Sequence, residues 1–424
     1  MMHPGIPIKL LHEIREIAHG LDINRVALVG GAVRDELIYR LNNKEIFPLK
    51  DIDLLIEGSA IKLAKRIEED LARNRVSRIH IYESFNTVEM TIDGIMVDLA
   101  SSRDEKYIKP GENPKIEPTG IEKDLRRRDF TMNAMAIDIA SNQLLDLYQG
   151  EVSIKRKEIE FIHSKSVEED PTRIIRAARY AARFNFKVSP NSSEQIKNTL
   201  ISWPWLWNEG DSPNSAPAAL SNRLKLEMKI LFNDNYWKDA MKNLESWGAL
   251  TLLDKEIQND PNWEKRIKWA LKLNIDPLLS LIVISKNVLN LAKRLKVNKK
   301  QEELLKERLE FENWLNTIID KKSYSYWLPS DWCKQIEEYK WHPEVIALSI
   351  SMEITHWEIL YKWLNEWRHI QSPITAKELL TQGWEPGPNL GKEISRLREI
   401  HIDKVDKDKE IQQNNSNDSS YSPP

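Results

Sequence analysis

Two carboxylates stand two residues apart on an apolar run, Asp51-Ile52-Asp53-Leu54-Leu55-Ile56. In an extended strand, side chains at i and i+2 share a face, so both acids point the same way. Such a pair favours a hard divalent cation such as Mg²⁺, with phosphate oxygens completing its shell. Upstream, Gly30-Gly31 closes another short apolar run, Arg25 to Val29. A glycine pair admits positive φ and lets backbone N–H groups approach phosphate oxygens closely. The helix that starts after it, carrying Arg34, adds a positive dipole end. A lone Asp-x-Asp also describes a strand end facing water, and an ordinary strand-to-helix turn needs one glycine. The two features together point to phosphate chemistry. A third acid, Asp98, lies inside the apolar run Ile95 to Leu99, where it is costly unless paired or metal-bound. It is either a third carboxylate, as metal ligand or as base for an attacking hydroxyl, or the partner of an arginine such as Arg103.

The elements that must carry these residues are alternating and short in the first third of the chain. Arg25 to Val29 and Lys50 to Ile56 read as strands, and Ala32 to Arg40 and Ala60 to Leu71 as helices. Ser77 to Tyr82, Thr87 to Ile92 and Ile95 to Ala100 alternate as strands, with Asp93-Gly94 as the hairpin turn between the last two. Met135 to Ile139 is a further strand. From Ser166 onward the periodicity is helical. Glu169 to Phe184 reads as one helix, Ile201 to Pro217 as a loop, and Leu220 to Phe232 as a helix. Helices broken by prolines then continue to Ile400. The polar segment 403–424 is expected to be disordered.

Composition narrows the class. The chain has 424 residues, 41% of them hydrophobic, which is ample for two to four structural units. One cysteine, Cys333, excludes an intramolecular disulfide framework and fits a reducing compartment. No apolar run approaches the ~20 residues of a membrane span, and the N-terminus does not read as a signal peptide. A cytoplasmic protein without a membrane role is expected. There is no Walker-type loop and no zinc-spaced cluster. The net charge of -3 does not announce a nucleic-acid binder, although Arg126-Arg127-Arg128 and Arg173 to Lys187 are locally basic. All 15 tryptophans follow residue 200, and core packing is the expected role of most.

At this point the motifs resemble a known family. GGAVRD with DID, FNTVEMTIDGIMVDLASSR, DLRRRDFTMNAMAID and EEDPTRIIRAARYAARFNF are similar to the class II tRNA nucleotidyltransferases, that is, the CCA-adding enzymes and their bacterial poly(A) polymerase relatives. The likeness is strong over residues 25–232 and returns briefly near 373–392. It implies an α+β chain: a polymerase-β-like head with a mixed sheet and helices (1–150), then an elongated all-α neck (151–232), body (233–320) and tRNA-binding tail (321–402).

The resemblance assigns Arg127, Arg128 and Asp129 to the triphosphate and ribose. Arginine suits bidentate phosphate recognition, and an aspartate can accept from a ribose 2′-OH. Asn133 supports Asp129 or the ribose, and Arg176 reaches toward the triphosphate. Asp170 and Arg173 match a base-reading motif. Cytosine and adenine each present an NH₂ donor beside a ring-nitrogen acceptor, whereas uracil and guanine reverse that order. One Asp/Arg pair can therefore select C and A without a template. An internal ion pair at a helix start would have the same spacing. Ser221, Arg223 and Glu227 read as braces of the neck.

The family implies template-independent addition of CCA, or of CC or A alone, to tRNA 3′ ends from CTP and ATP with two Mg²⁺ ions. The acceptor arm of tRNA is the expected partner, with no protein partner. Poly(A) polymerase activity is the alternative, but the basic run of those enzymes is missing where Glu83 to Val88 stand. A non-catalytic RNA-binding protein is the second alternative. The segment Ser102 to Gly120 falls where the family has a flexible loop.

Overall fold

The computed structural model describes residues 6–21, 23–41, 51–72, 74–202, 210–320 and 326–416. The chain forms two compact units, Met1–Ala249 and Leu250–Pro424. The expected head and neck, with the first part of the expected body (233–249), share one unit, and the rest of the body and the tail fall in the other.

The first unit is built on a seven-stranded sheet. Its strands are β1 (Val26–Val29), β2 (Ile52–Ile56), β3 (Val76–Tyr82), β4 (Thr87–Ile92), β5 (Ile95–Ser101), β8 (Ala136–Asp138) and β9 (Leu144–Leu145), in the spatial order β3-β4-β5-β2-β1-β8-β9. Only β2 and β5 run parallel among its pairs, so the sheet is mixed. Asp93 and Gly94 both adopt positive φ between β4 and β5, as a tight hairpin turn requires. Helices α1 (Ile8–His19), α2 (Gly31–Leu41), α3 (Ala60–Asp70), α4 (Ile121–Arg126) and α5 (Gly150–Arg156) accompany the sheet. One buried cluster joins Val29 and Leu55 of the sheet to Ile121 and Leu125 of α4, which anchors the residues that follow α4.

Two sequence expectations change here. Segment 102–120 is not all loop, because β6 (Arg103–Lys106) and β7 (Lys115–Pro118) form an antiparallel ribbon. Its strands carry charge rather than apolar alternation, and Lys106 pairs with Glu117 across them. Residues 169–184 are not one helix. A short α6 (Ser166–Glu169) ends at Asp170, whose backbone is extended at φ −142°, and α7 (Thr172–Phe184) begins after Pro171. Proline disfavours the helical region for the residue before it. Beyond them lie α8 (Pro190–Ile201), α9 (Asn222–Phe232) and α10 (Trp237–Ser246). Part of the expected loop 201–217 lies outside the described residues.

The second unit is helical among its described residues, from Lys255–Asn259 to Pro388–Ser416. Tryptophans fill its core: Trp263, Trp269, Trp332, Trp363 and Trp367 are buried. Trp269 donates its indole N–H to Glu353 at 3.1 Å. The expectation of disorder from 403 is corrected, because the last helix runs to Ser416. Ile402 is fully buried. Asp403 accepts from the backbone and hydroxyl of Ser330, both at 2.8 Å, and Asp406 accepts from the Trp367 indole at 3.0 Å. Polar composition hid a helix face held by acids rather than by apolar residues. Residues 417–424 lie outside the described residues.

Candidate active site

A cavity of about 980 Å³ opens within the first unit. One wall comes from the sheet. Asp53 on β2 lies beside Asp98 on β5, and Asp98 lies opposite Glu89 on β4. Asp51 immediately precedes β2. Like charges directly opposite on neighbouring strands repel. Burial raises the Asp53 carboxyl above its ordinary range, and Asp51 adds to this, against the pull of Arg128 and the Gly31 N–H. Burial, then Asp53, Asp51 and Glu89, push Asp98 up to about 6. Its Oδ1 is buried without a hydrogen-bond partner.

The turn before α2 is cut to fit this wall. Gly30 has φ +66°, and a β-carbon there would lie 2.6 Å from Asp53 Oδ2. The close approach that requires glycine is therefore to the carboxylate. Gly31 opens α2 and donates its N–H to Asp53.

This acid pair fits a divalent cation: two buried or half-buried carboxylates that repel each other and lack full compensation. Among the described residues, no group of three or more His, Cys, Asp and Glu side chains is arranged to hold a metal by itself. Asp51 and Asp53 would hold an ion whose other positions belong to substrate oxygens.

The facing wall is made of ion pairs, although the Nε atoms of Arg128, Arg179 and Arg223 are buried without a hydrogen-bond partner. Asp124 on α4 is fully buried and accepts from Arg127 at 2.8 Å and from Arg128 at 3.4 Å, one turn further along. Arg127 also reaches Glu105 of β6 at 3.0 Å. Asp129 accepts from the Phe130 N–H and Asn133 Nδ2 on Oδ1, and from Arg176 on Oδ2 at 2.7 Å. Burial works against its charge, but Arg176 and Asn133 outweigh it and hold Asp129 below the usual carboxylate range. Arg34 donates to Asp35 and to Asn133 Oδ1 while lying over the rings of Tyr180 and Phe184. Asn133 thus ties Asp129 to Arg34.

The floor is the α6–α7 junction. Asp170 Oδ1 accepts from the Thr172 N–H at 3.0 Å and its hydroxyl at 2.7 Å, and Oδ2 accepts from Arg223 at 2.6 Å. Arg173 donates to the carbonyls of Ser166 and Arg127, at 3.1 and 2.7 Å. The two residues do not form the internal ion pair that their spacing allowed.

Of the residues singled out in the sequence, Gly30, Gly31, Arg34, Asp51, Asp53, Arg127, Arg128, Asp129, Asn133, Asp170, Arg173 and Arg176 line this cavity. Asp98 does not line it; it stands beside Asp53 on the next strand. Its pairing with Arg103 is not found, because Arg103 pairs with Glu105 and lies over Phe85. The sequence reading underrated Arg223 and Glu227, which also line the cavity. Glu227 accepts from Arg176 and Arg179 at 3.2 and 2.8 Å. Their four-residue spacing on α9 was the available signal. Asp124, spaced three and four before Arg127 and Arg128, was missed altogether.

The chain is similar to several known proteins. A family model for the poly A polymerase head domain matches residues 26–160. An A-adding tRNA nucleotidyltransferase of Halalkalibacterium halodurans is 27% identical over 413 residues, covering 92% of this chain and 87% of that protein. An A-adding tRNA nucleotidyltransferase of Aquifex aeolicus is 37% identical over 208 residues; the match takes up 48% of this chain and only 23% of that longer protein. A solved structure of the Thermotoga maritima CCA-adding enzyme complexed with tRNA has a TM-score of 0.66 and 18% identity, over 95% of this chain and 93% of that one. At that identity the likeness is one of fold.

Proposed function

We propose that this chain is a member of the class II CCA-adding tRNA nucleotidyltransferase family and that it adds CCA, or its terminal A alone, to tRNA 3′ ends from CTP and ATP; its head matches the poly A polymerase head model over residues 26–160, and its full-length relative is an A-adding tRNA nucleotidyltransferase. The observation that carries this reading is one cavity with an under-compensated acid pair on one wall and the partly buried Asp170 beside the buried Arg173 on its floor. The narrower A-only reading is favoured by the A-adding activity for which both relatives described above are named.

In this reading the triphosphate lies between the two walls. Arg128, whose charge acts on Asp53, and Arg127 face its oxygens. Asp129 has one lone pair left on Oδ2, since Oδ1 already accepts twice, and that lone pair accepts the ribose 2′-OH. Asp170 accepts the exocyclic amine of C or A, and Arg173 donates to the adjacent ring nitrogen. The 3′-OH of the tRNA attacks the α-phosphate in line, and pyrophosphate leaves. Asp51 and Asp53 would hold Mg²⁺, which when bound stabilises the attacking and leaving oxygens; two ions fit the reaction class. Asp98, kept proton-hungry by its neighbours, is placed to tune the charge of Asp53 from the adjacent strand. The acceptor arm is the proposed RNA partner and the cytoplasm the proposed compartment. Among the described residues no helix is long and apolar enough to cross a membrane.

Incubation with tRNAs ending at the discriminator base, at C and at CC, with each labelled nucleotide in turn, tests this. CCA addition extends all three; A-only addition extends just the last. Extension of unrelated RNA with many adenosines would replace the reading with poly(A) synthesis. No incorporation into any RNA would end it.

A further inference from the structure

We propose that Arg223 is a positioning residue that sets base specificity through Asp170. The proposal rests on the nucleotidyl-transfer reading of the cavity.

Asp170 has two oxygens with different histories. Oδ1 already accepts twice, from the N–H and the hydroxyl of Thr172. Oδ2 accepts once, from Arg223 Nη1 at 2.6 Å. A carboxylate oxygen has two lone pairs, so an incoming exocyclic amine meets Oδ2. The group that holds Oδ2 therefore decides where the base-reading acceptor sits. That group is not Arg173, whose guanidinium donates to the carbonyls of Ser166 and Arg127.

Arg223 is itself fixed by backbone. Its Nη2 donates to the carbonyls of Gly111 and Glu112, both at 2.8 Å. The planar guanidinium makes the directions of Nη1 and Nη2 rigid with respect to each other. Gly111, in the segment between β6 and β7, is pinned in turn. Its N–H donates to Glu169 O at 3.1 Å, and its carbonyl accepts from Ala219 N at 2.9 Å. It has φ +73°, and a β-carbon there would come within 3.2 Å of Pro217. One guanidinium thus references the Asp170 acceptor to a backbone position tied to the residues flanking both partners. Lysine keeps the charge but cannot span the three acceptors in one plane.

The test uses the full chain with Arg223→Ala, Arg223→Lys, Asp170→Ala and the double variant Asp170→Ala/Arg223→Ala. kcat/KM for ATP, CTP, GTP and UTP on tRNA gives a discrimination ratio, and equilibrium binding of each nucleotide gives a second ratio that needs no turnover. Arg223→Ala should lower discrimination against GTP and UTP about tenfold. Arg223→Lys should fall between it and the parent protein. In the Asp170→Ala background, removing Arg223 should change the ratio no further. Should Arg223→Ala fold poorly, the lysine variant and its binding ratios carry the comparison. An unchanged ratio in both Arg223 variants overturns the proposal, as does an equal drop in the absence of the Asp170 carboxylate. A parent protein that binds C and A nucleotides selectively but transfers none defeats the transfer reading alone, because the binding ratios still decide the role of Arg223. A parent protein without nucleotide preference defeats both.

Discussion

The two walls of the cavity handle charge in opposite ways. On the sheet side, Asp51, Asp53, Asp98 and Glu89 crowd together, and Asp53 and Asp98 are both raised. On the helical side, Asp124, Asp129, Asp170 and Glu227 are each engaged by arginine. Uncompensated charge costs stability and persists where something else is to complete it. Compensated charge fixes geometry before a ligand arrives. In the proposed reading the sheet wall serves the chemistry and the helical wall the recognition.

That contrast breaks most visibly at the acid pair. Asp51→Ala or Asp53→Ala should lower kcat about a thousandfold or more while the protein folds and binds tRNA, since a lost metal ligand removes several kcal/mol of transition-state stabilisation. Single-turnover assays and tRNA gel shifts check both halves. Near-normal turnover would mean that the acids are merely crowded.

On the helical wall the first casualty should be stability. Asp129→Ala leaves the Arg176 guanidinium with Glu227 alone and strips Asn133 of its acceptor. We expect a loss of about 3 kcal/mol in urea unfolding, the low end for a broken buried pair because Arg176 keeps one partner. Any surviving activity should discriminate less between ATP and dATP. A melt unchanged from the parent would show that the pair is solvated.

Base choice should respond next. Asp170→Ala should raise GTP and UTP use relative to ATP and CTP by about ten- to a hundredfold in kcat/KM, because wrong bases no longer leave a buried acceptor unpaired. Arg173→Ala should relax the ratio as well, and should also weaken the fold, since it bridges α6 to the carbonyl of Arg127. Ratios that stay constant while activity falls would make this floor purely structural.

The smallest effect sharpens the comparison through pH. Asp98 has a folded-state pKa raised to about 6, above the unfolded value near 4. Its protonated form is the one folding favours. The stability it contributes is present below about pH 4 and is lost as pH rises through about 6. In metal-free buffer, Asp98→Asn should therefore raise the melting temperature by about 2 °C near pH 8 and leave it unchanged near pH 4. An equal shift at both pH values would show that Asp98 is not strained by its neighbours.

Much of this was legible beforehand, for physical reasons. The sheet announced itself through alternation and the Asp93-Gly94 turn, and the paired acids through their two-residue spacing. What escaped notice was polar. The β6–β7 ribbon reads Arg-Asp-Glu-Lys on one strand, with no apolar period to betray it. Asp124 looked like one charge among many before Arg126, because burial cannot be read from a charged run. The break at Asp170 was readable from Pro171, yet the helical spacing on either side overrode it. The last helix hid its face because Asp403 and Asp406, rather than leucines, hold it in place.

Gly30 offers a different kind of instrument. Alanine at this position would change no charge and remove no ligand, yet its methyl would sit where Asp53 Oδ2 now lies 2.6 Å away, on a backbone at φ +66°. It would act as a wedge of known size and direction, displacing a single oxygen. Graded substitution there would turn the sheet wall into a ruler, with the rate recording how far the proposed metal-holding carboxylate can be pushed before the reaction no longer tolerates the displacement.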